Sequence, residues 1–242
     1  MRKLLFILAH PDDETFIAGG TIAKYAEAGV HVGLVCATRG ERGATADLCS
    51  IPELPDVRYS ELREAARILG IGDLEVLHYE DQKLAAAPPD VIRREIVNAI
   101  RRVRPQIVLT FDPNGSNQHS DHIAISRFAA DAVSAAADTR WYPETGAPHV
   151  IGRLLWQSPT PVFQLARTAN LTAQPGIDFL IDIAPFSEKK RAALSAHRTQ
   201  YPGLKKVFFG TEAGEKTINL EAFRVGWGPR PRAVPASDLF AD

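Results

Sequence analysis

The sequence predicts an α/β fold: a single Rossmann-like domain over residues 1–242, with a mostly parallel sheet flanked by helices and a less regular C-terminal part. Three observations predict it. Short, mostly apolar runs recur at 4–8, 30–37, 74–77 and 107–111, the first of them continuously apolar as a strand buried on both faces requires. Amphipathic segments with helical spacing separate these runs, the pattern of parallel strands wrapped by helices. The length of 242 residues suits one large domain, and no repeat or low-complexity segment divides it.

Residues 4–8, Leu-Leu-Phe-Ile-Leu, make the first strand. A helix over 15–28 follows, with Ile17, Thr21, Ile22 and Tyr25 on one side and Gly29 as its stop. The second strand, 30–37, ends in the polar loop Thr38-Arg39-Gly40-Glu41-Arg42-Gly43. After an irregular stretch at 44–55, Leu62, Ala65, Ala66 and Leu69 are spaced for one face of a helix over 57–69, which Gly70 ends. A short strand at 74–77 leads into the turn Tyr79-Glu80-Asp81-Gln82. Pro88-Pro89-Asp90 opens a helix to residue 103 with Val91, Ile92, Ile96 and Ile100 inward, since proline suits a first helical turn. The strand 107–111, a turn-rich loop at 112–118 and a helix over 121–137 complete the regular half. Crossovers of this kind are right-handed almost without exception. Beyond it the expectation is strands at 153–157 and 179–183, a Lys- and Ala-rich helix over 185–197, short strands at 205–209 and 222–225, and a Pro-rich extended tail at 228–235.

Composition excludes several classes. A formal charge of −1 leaves no electrostatic footprint for nucleic acid or an anionic membrane. No run approaches the roughly 18 apolar residues of a membrane span. Met1-Arg2-Lys3 ahead of an apolar stretch superficially matches a signal peptide, but the stretch is too short and no small-residue cleavage site follows, so targeting is rejected. Cys36 and Cys49 cannot build a disulfide framework and lack zinc-site spacing; they fit a reduced, cytoplasmic setting.

Two strand ends carry the chemistry. Ala9-His10-Pro11-Asp12-Asp13-Glu14 stands directly behind the first strand, and His119-Ser120-Asp121-His122 a short way behind the fourth. Open α/β folds bind ligands at the C-terminal ends of their strands, so the two clusters are expected to converge. Adjacent carboxylates on a turning backbone point different ways: one of Asp12 and Asp13 can hold a metal with His10 while the other takes a proton. Hydrolysis at neutral pH benefits from a metal that acidifies water and keeps a coordination position open. Two imidazoles and one carboxylate, supplied by His10, Asp13 and His122, suit Zn2+, and Fe2+ or another divalent ion fits the same set. His119 and His122 lie three apart and share one side of a first helical turn. With His122 on the metal, His119 faces the substrate and Asp121 orients an imidazole. Either cluster alone has a plainer reading, in which Asp12 or Asp121 only starts a helix. Together they favour a metal site.

In these motifs the sequence resembles the LmbE-like de-N-acetylases, the PIG-L superfamily, over most of the chain. The resemblance rests on residues 9–14 with Gly19-Gly20, on Thr38-Arg39-Gly40-Glu41, on Arg58 with Glu61-Leu62, on Asp81, on His119-Ser120-Asp121-His122 and on His197-Arg198-Thr199-Gln200. It implies a metal-dependent, mostly zinc amidohydrolase that removes acetyl from a small N-acetylated amino sugar or its conjugate. It makes His10, Asp13 and His122 the metal ligands, Asp12 the general base, His119 the acid or oxyanion stabiliser and Asp121 the residue that tunes His119. It puts Arg58, Asp81 and His197 at the substrate, with Gln200 bordering the site, and leaves Glu14 to support its helix or the ligands. A homo-oligomer is compatible with it.

The chain departs from many relatives in carrying Ser120 where they have proline. Nor does a tyrosine stand at 114–118, so Asn117 or Gln118 is the local group left to contact the intermediate. A metallophosphatase or nucleosidase would call for a phosphate-cradling loop, and residues 39–43 lack that pattern. A sugar- or nucleotide-binding module without catalysis has no use for a ligand set beside a spare carboxylate. The loops after Gly43 and around Gly146 are expected to set substrate choice.

Overall fold

Leu4, Leu5, Phe6, Ile7 and Leu8 are each at most 1% exposed, so β1 (Lys3–Leu8) has to lie inside a sheet covered on both faces. The computed structural model, which describes residues 1–158, 177–209, 214 and 218–242, places it there. β1 pairs in parallel with β2 (His31–Thr38) on one side and β4 (Ile107–Thr110) on the other. β3 (Asp73–Tyr79) extends the sheet beyond β2, and β5 (Arg153–Gln157) beyond β4, again in parallel. β7 (Leu220–Trp227) and β6 (Phe179–Asp182) finish it, giving the order β3-β2-β1-β4-β5-β7-β6 with β7 antiparallel to both neighbours.

The chain therefore runs from β1 outward through β2 to β3, then returns to the other side of β1 and runs outward again from β4. Between β1 and β4 the winding reverses, and the carboxyl ends of two such strands part to leave a crevice. Helices α1 (Asp13–Glu27) and α2 (Leu54–Leu69) pack together with α6 (Ser187–Ala196), while α3 (Pro89–Val103) packs on α5 (Ser120–Ala136). One apolar cluster runs from Leu4 to Leu239 and joins the two halves. Among the described residues no helix is long and apolar enough to cross a membrane.

Most elements fall where periodicity puts them. Helix α2 starts at Leu54, because Pro55 is accommodated in a first turn. The loop at 112–118 contains one short, irregular turn, α4 (Gly115–Gln118), in which Ser116 has φ 61° and ψ −69°. The strand expected at 205–209 does not exist. That stretch belongs to helix α7 (Tyr201–Phe208), with the Gln200 carbonyl accepting from Leu204 N–H at 3.1 Å and the Lys205 carbonyl from Phe209 N–H at 3.0 Å. Pro202 suits its first turn, β7 is already paired on both sides, and Leu204 and Phe209 join Leu194 and Ile218 in a small apolar cluster. The loop around Gly146 also departs from expectation. It enters β5 from the N-terminal edge, where the His149 ring donates to the Pro105 carbonyl just ahead of β4, so it lies at the opposite end of the strands from the crevice.

Candidate active site

At the end of β1 the His10 carbonyl accepts the Asp13 N–H at 3.3 Å, closing a turn with Pro11 second and Asp12 third. Asp12 has φ 116° and ψ −26°. A positive φ at the third position marks a type II turn, where glycine or asparagine is usual; with an aspartate it costs about 1–3 kcal/mol. The turn sends the two carboxylates apart. Asp13 points in: its Oδ2 accepts the N–H groups of Ala9 and His10 at 3.2 and 2.7 Å. Asp12 lines the cavity, its Oδ2 3.2 Å from Nη2 of Arg58 on α2.

The end of β4 supplies the facing wall. Buried Phe111 stacks on the His122 ring at 3.9 Å between centroids, and His122 Nδ1 lies 3.2 Å from the Gly115 carbonyl. Gly115 has φ +69°, and a Cβ there would meet Ile123 and His122 at 3.0 Å or less. His119 caps α5, with Nδ1 accepting the Asp121 N–H at 3.2 Å. Its proton therefore sits on Nε2.

The atoms of the expected ligand set converge. His122 Nε2 lies 3.2 Å from His10 Nδ1 and 3.2 Å from Asp13 Oδ1, and His10 Nδ1 lies 3.5 Å from Asp13 Oδ2. A tetrahedral zinc with bonds of about 2.0–2.1 Å separates its ligands by about 3.4 Å, so the three would take such an ion with little movement. Both rings are oriented for it. His122 gives its Nδ1 proton to a carbonyl, and His10 turns Nε2 to Asp121 Oδ2 and Asp81 Oδ1, each 3.1 Å away. In the neutral rings the two nitrogens that face each other would then keep their lone pairs for an ion. A site instead at His10 Nε2, Asp81 and Asp121 fits less well. Asp121 already accepts the N–H groups of Gln82 and Leu84, and Asp81 that of Arg42.

The electrostatics agree. Burial opposes charge on His10, yet hydrogen bonds to Asp121, Asp13 and Asp81 hold its pKa well above the ordinary value, which is a demand for positive charge among these carboxylates. Burial also opposes charge on Asp13, but His122 and His10 outweigh it and hold the carboxyl far below its usual range. Asp12 goes the other way: burial, opposed by Arg58 and reinforced by Asp13, pushes it up to about 6. Burial and the neighbouring His10 and His122 hold the His119 pKa down. Two adjacent aspartates are split into a permanent anion and a group able to take a proton.

The remaining expected residues take varied places. Arg58, 3% exposed, lines the cavity and binds the carbonyls of Pro11 and Gly40 besides Asp12. Gly40, at φ +64°, admits it: a Cβ there would collide with the Arg58 guanidinium. Asp81 lines the cavity and braces His10. The Asp121 carboxylate bonds to His10, because the first turn of α5 aims it across the crevice; it reaches His119 through its backbone N–H and through its charge, which pulls the His119 pKa up against burial. His197 is off the cavity wall altogether, fully buried behind Glu14 with Nε2 2.7 Å from Glu14 Oε1. Gln200 and Asn117 do reach the wall. Sequence reasoning missed Phe16, Arg42 and Leu204, which also line the cavity. The helical spacing of Phe16 from Asp12 and Asp13 could have found it. Leu204 was hidden beside the segment expected to be a strand.

Comparison with known proteins agrees with this geometry. Residues 5–133 match the PIG-L family, described as GlcNAc-PI de-N-acetylase. A 1D-myo-inositol 2-acetamido-2-deoxy-alpha-D-glucopyranoside deacetylase from Thermobifida fusca is 34% identical over 283 residues, covering 99% of each chain. Among solved structures, the conserved protein TT1542 from Thermus thermophilus superposes with a TM-score of 0.75 at 29% identity, covering 98% of this chain and 100% of that one. The N,N'-diacetylchitobiose deacetylase from Pyrococcus horikoshii gives a TM-score of 0.74 at 26% identity, over 93% and 83%. With strand-end clusters, fold and relatives in accord, the chain belongs to the PIG-L family of de-N-acetylases and is a hydrolase of acetamides.

Proposed function

We propose that the protein is a metal-dependent de-N-acetylase of a small N-acetylated amino-sugar conjugate, with an acetamidoglucoside of inositol the first substrate to test. The observation that carries this reading is the ligand set of His10, Asp13 and His122, its atoms 3.2–3.5 Å apart, beside a carboxylate that is not part of it. Zn2+ and Fe2+ both suit two imidazoles and a carboxylate; when bound, such an ion acidifies water and polarises the amide carbonyl. The chain's own groups do the rest. Asp12 takes a proton from the water as its oxygen bonds to the acetamide carbon, and Arg58 keeps the carboxylate aimed. His119 presents Nε2–H to the carbonyl oxygen as it gains negative charge. When the C–N bond breaks, the proton held by Asp12 goes to the leaving nitrogen, and acetate and a free amine remain. Asp81 and Asp121 keep the His10 ring in place. Both cysteines are free, which suits a reduced, cytoplasmic setting.

The test is elemental analysis paired with release of amine and acetate from a panel of N-acetylated sugars and glycosides. Chelation should abolish release, and added Zn2+ or Fe2+ should restore it. Asp12→Asn should keep the metal while kcat falls by about 10²–10⁴-fold. Undiminished turnover in that variant would remove Asp12 from its role.

A further inference from the structure

Glu14 is not a ligand and does not line the cavity, yet it is fully buried and both its oxygens are engaged. Oε2 accepts the Asp12 N–H at 3.0 Å. Oε1 accepts Thr15 Oγ1–H at 2.5 Å and lies 2.7 Å from His197 Nε2. His197, at the C-terminus of α6 and 183 residues away in sequence, is also fully buried, and its Nδ1 makes no hydrogen bond. Among the described residues, Glu14 is the one polar partner of its ring.

These contacts end on the peptide joining Pro11 to Asp12. Its carbonyl accepts from Arg58 Nη2, and its N–H donates to Glu14, so the peptide is gripped at both poles. Type I and type II turns differ by a flip of this central peptide. Flipping it would relieve the positive φ of Asp12, and it would also leave a buried guanidinium and a buried carboxylate facing the wrong poles. The flip would turn the Asp12 side chain away from its present direction as well.

We propose that Glu14, backed by His197, is a positioning pair that holds the Pro11–Asp12 peptide in the type II orientation, so that the Asp12 carboxylate faces the cavity, while Asp13 keeps its own hold on the Ala9 and His10 N–H groups. The proposal rests on the reading of Asp12 as the base. Arg58 grips the same peptide from the cavity side; Glu14 grips it from behind, with His197 against Glu14, out of reach of substrate.

The experiment compares Glu14→Ala, Glu14→Gln and His197→Gln with wild type by metal content, kcat, KM and exchange of the Asp12 amide followed by NMR. In Glu14→Ala the metal content and KM should stay near wild type while kcat falls by up to about 10²-fold, as misplacement of a catalytic group predicts. The Asp12 amide should exchange at least about tenfold faster, since its partner is gone. Glu14→Gln, which keeps an acceptor for that amide, should recover most of the kcat. In an Asp12→Asn background Glu14→Ala should cost less than about twofold, because groups acting through one another are not additive. Unchanged Asp12 amide exchange, or an equal loss of kcat in both backgrounds, overturns the proposal. Should Glu14→Ala not fold, His197→Gln carries the same readouts with Glu14 in place. The two readings fail separately: full turnover in Asp12→Asn removes the base, whereas a crippled Asp12→Asn beside a normal Glu14→Ala removes only the positioning pair.

Discussion

At the end of β1 two adjacent carboxylates diverge, whereas at the end of β4 two histidines three apart converge. The difference lies in the backbone beneath them. A tight turn reverses direction from one residue to the next, so Asp12 and Asp13 take separate roles. A first helical turn repeats its direction, so the His119 and His122 rings lie 4.7 Å apart between centroids. The two ends also differ in how they are held. Around β4 the support is local: Phe111, Gly115 and the α5 backbone fix both rings. The β1 turn carries an unfavourable φ and is held by Arg58 from α2 and by Glu14, which is itself backed by His197 from the end of α6. Both ends carry non-glycine residues at positive φ, Asp12 on one and Ser116 and Gln118 on the other, so what separates them is how far away in the chain their supports lie.

The largest effect should come from breaking the inward branch of the β1 turn. Asp13→Ala removes a proposed ligand and the acceptor for two buried N–H groups, so metal binding and turnover should both be lost. Stability should drop by about 1–3 kcal/mol per orphaned group, read by elemental analysis and thermal melting. A stoichiometric metal in that variant would mean that the ligand set is wrong. A smaller effect tests whether the two ends serve each other. Asp121→Asn weakens the partner of His10 from the β4 side, and metal affinity measured by chelator competition should fall by about 10–100-fold. Unchanged affinity would make the two ends independent. The smallest effect is expected at the far end of the strands. Val150→Ser, at a position 67% exposed in the loop near Gly146, should leave kcat and KM within about twofold. A large rise in KM there would return that loop to the substrate.

Much of this was legible in the sequence. The four apolar runs and the helices between them follow from hydrophobic period, and the elements from β1 to α5 lie close to their expected bounds. The segment at 205–209 failed because Lys-Lys-Val-Phe-Phe has no clear period, and a strand is decided by its neighbours as much as by its residues. The residue types of the site were legible as well, because His10, Asp12, Asp13, His119 and His122 cluster locally behind strands. Their division of labour was not. Asp121 was expected to tune His119 and faces His10; His197 was expected at the substrate and stands behind Glu14. The buried pair of Lys190 and Glu221, 2.7 Å apart, left no local trace at all.

The sequence by itself determined the alternation of elements, the strand ends that carry chemistry and the donor types available there, since these depend on residues adjacent or one turn apart. Only the tertiary structure decided which carboxylate serves which imidazole, which ring nitrogen keeps its lone pair and what holds Asp12 in place. Those are contacts between groups 111 residues apart for His10 and Asp121, and 183 apart for Glu14 and His197. Their geometry is set by the sign of φ at one turn and by how helices pack on the sheet, and neither is written in any local stretch of the chain.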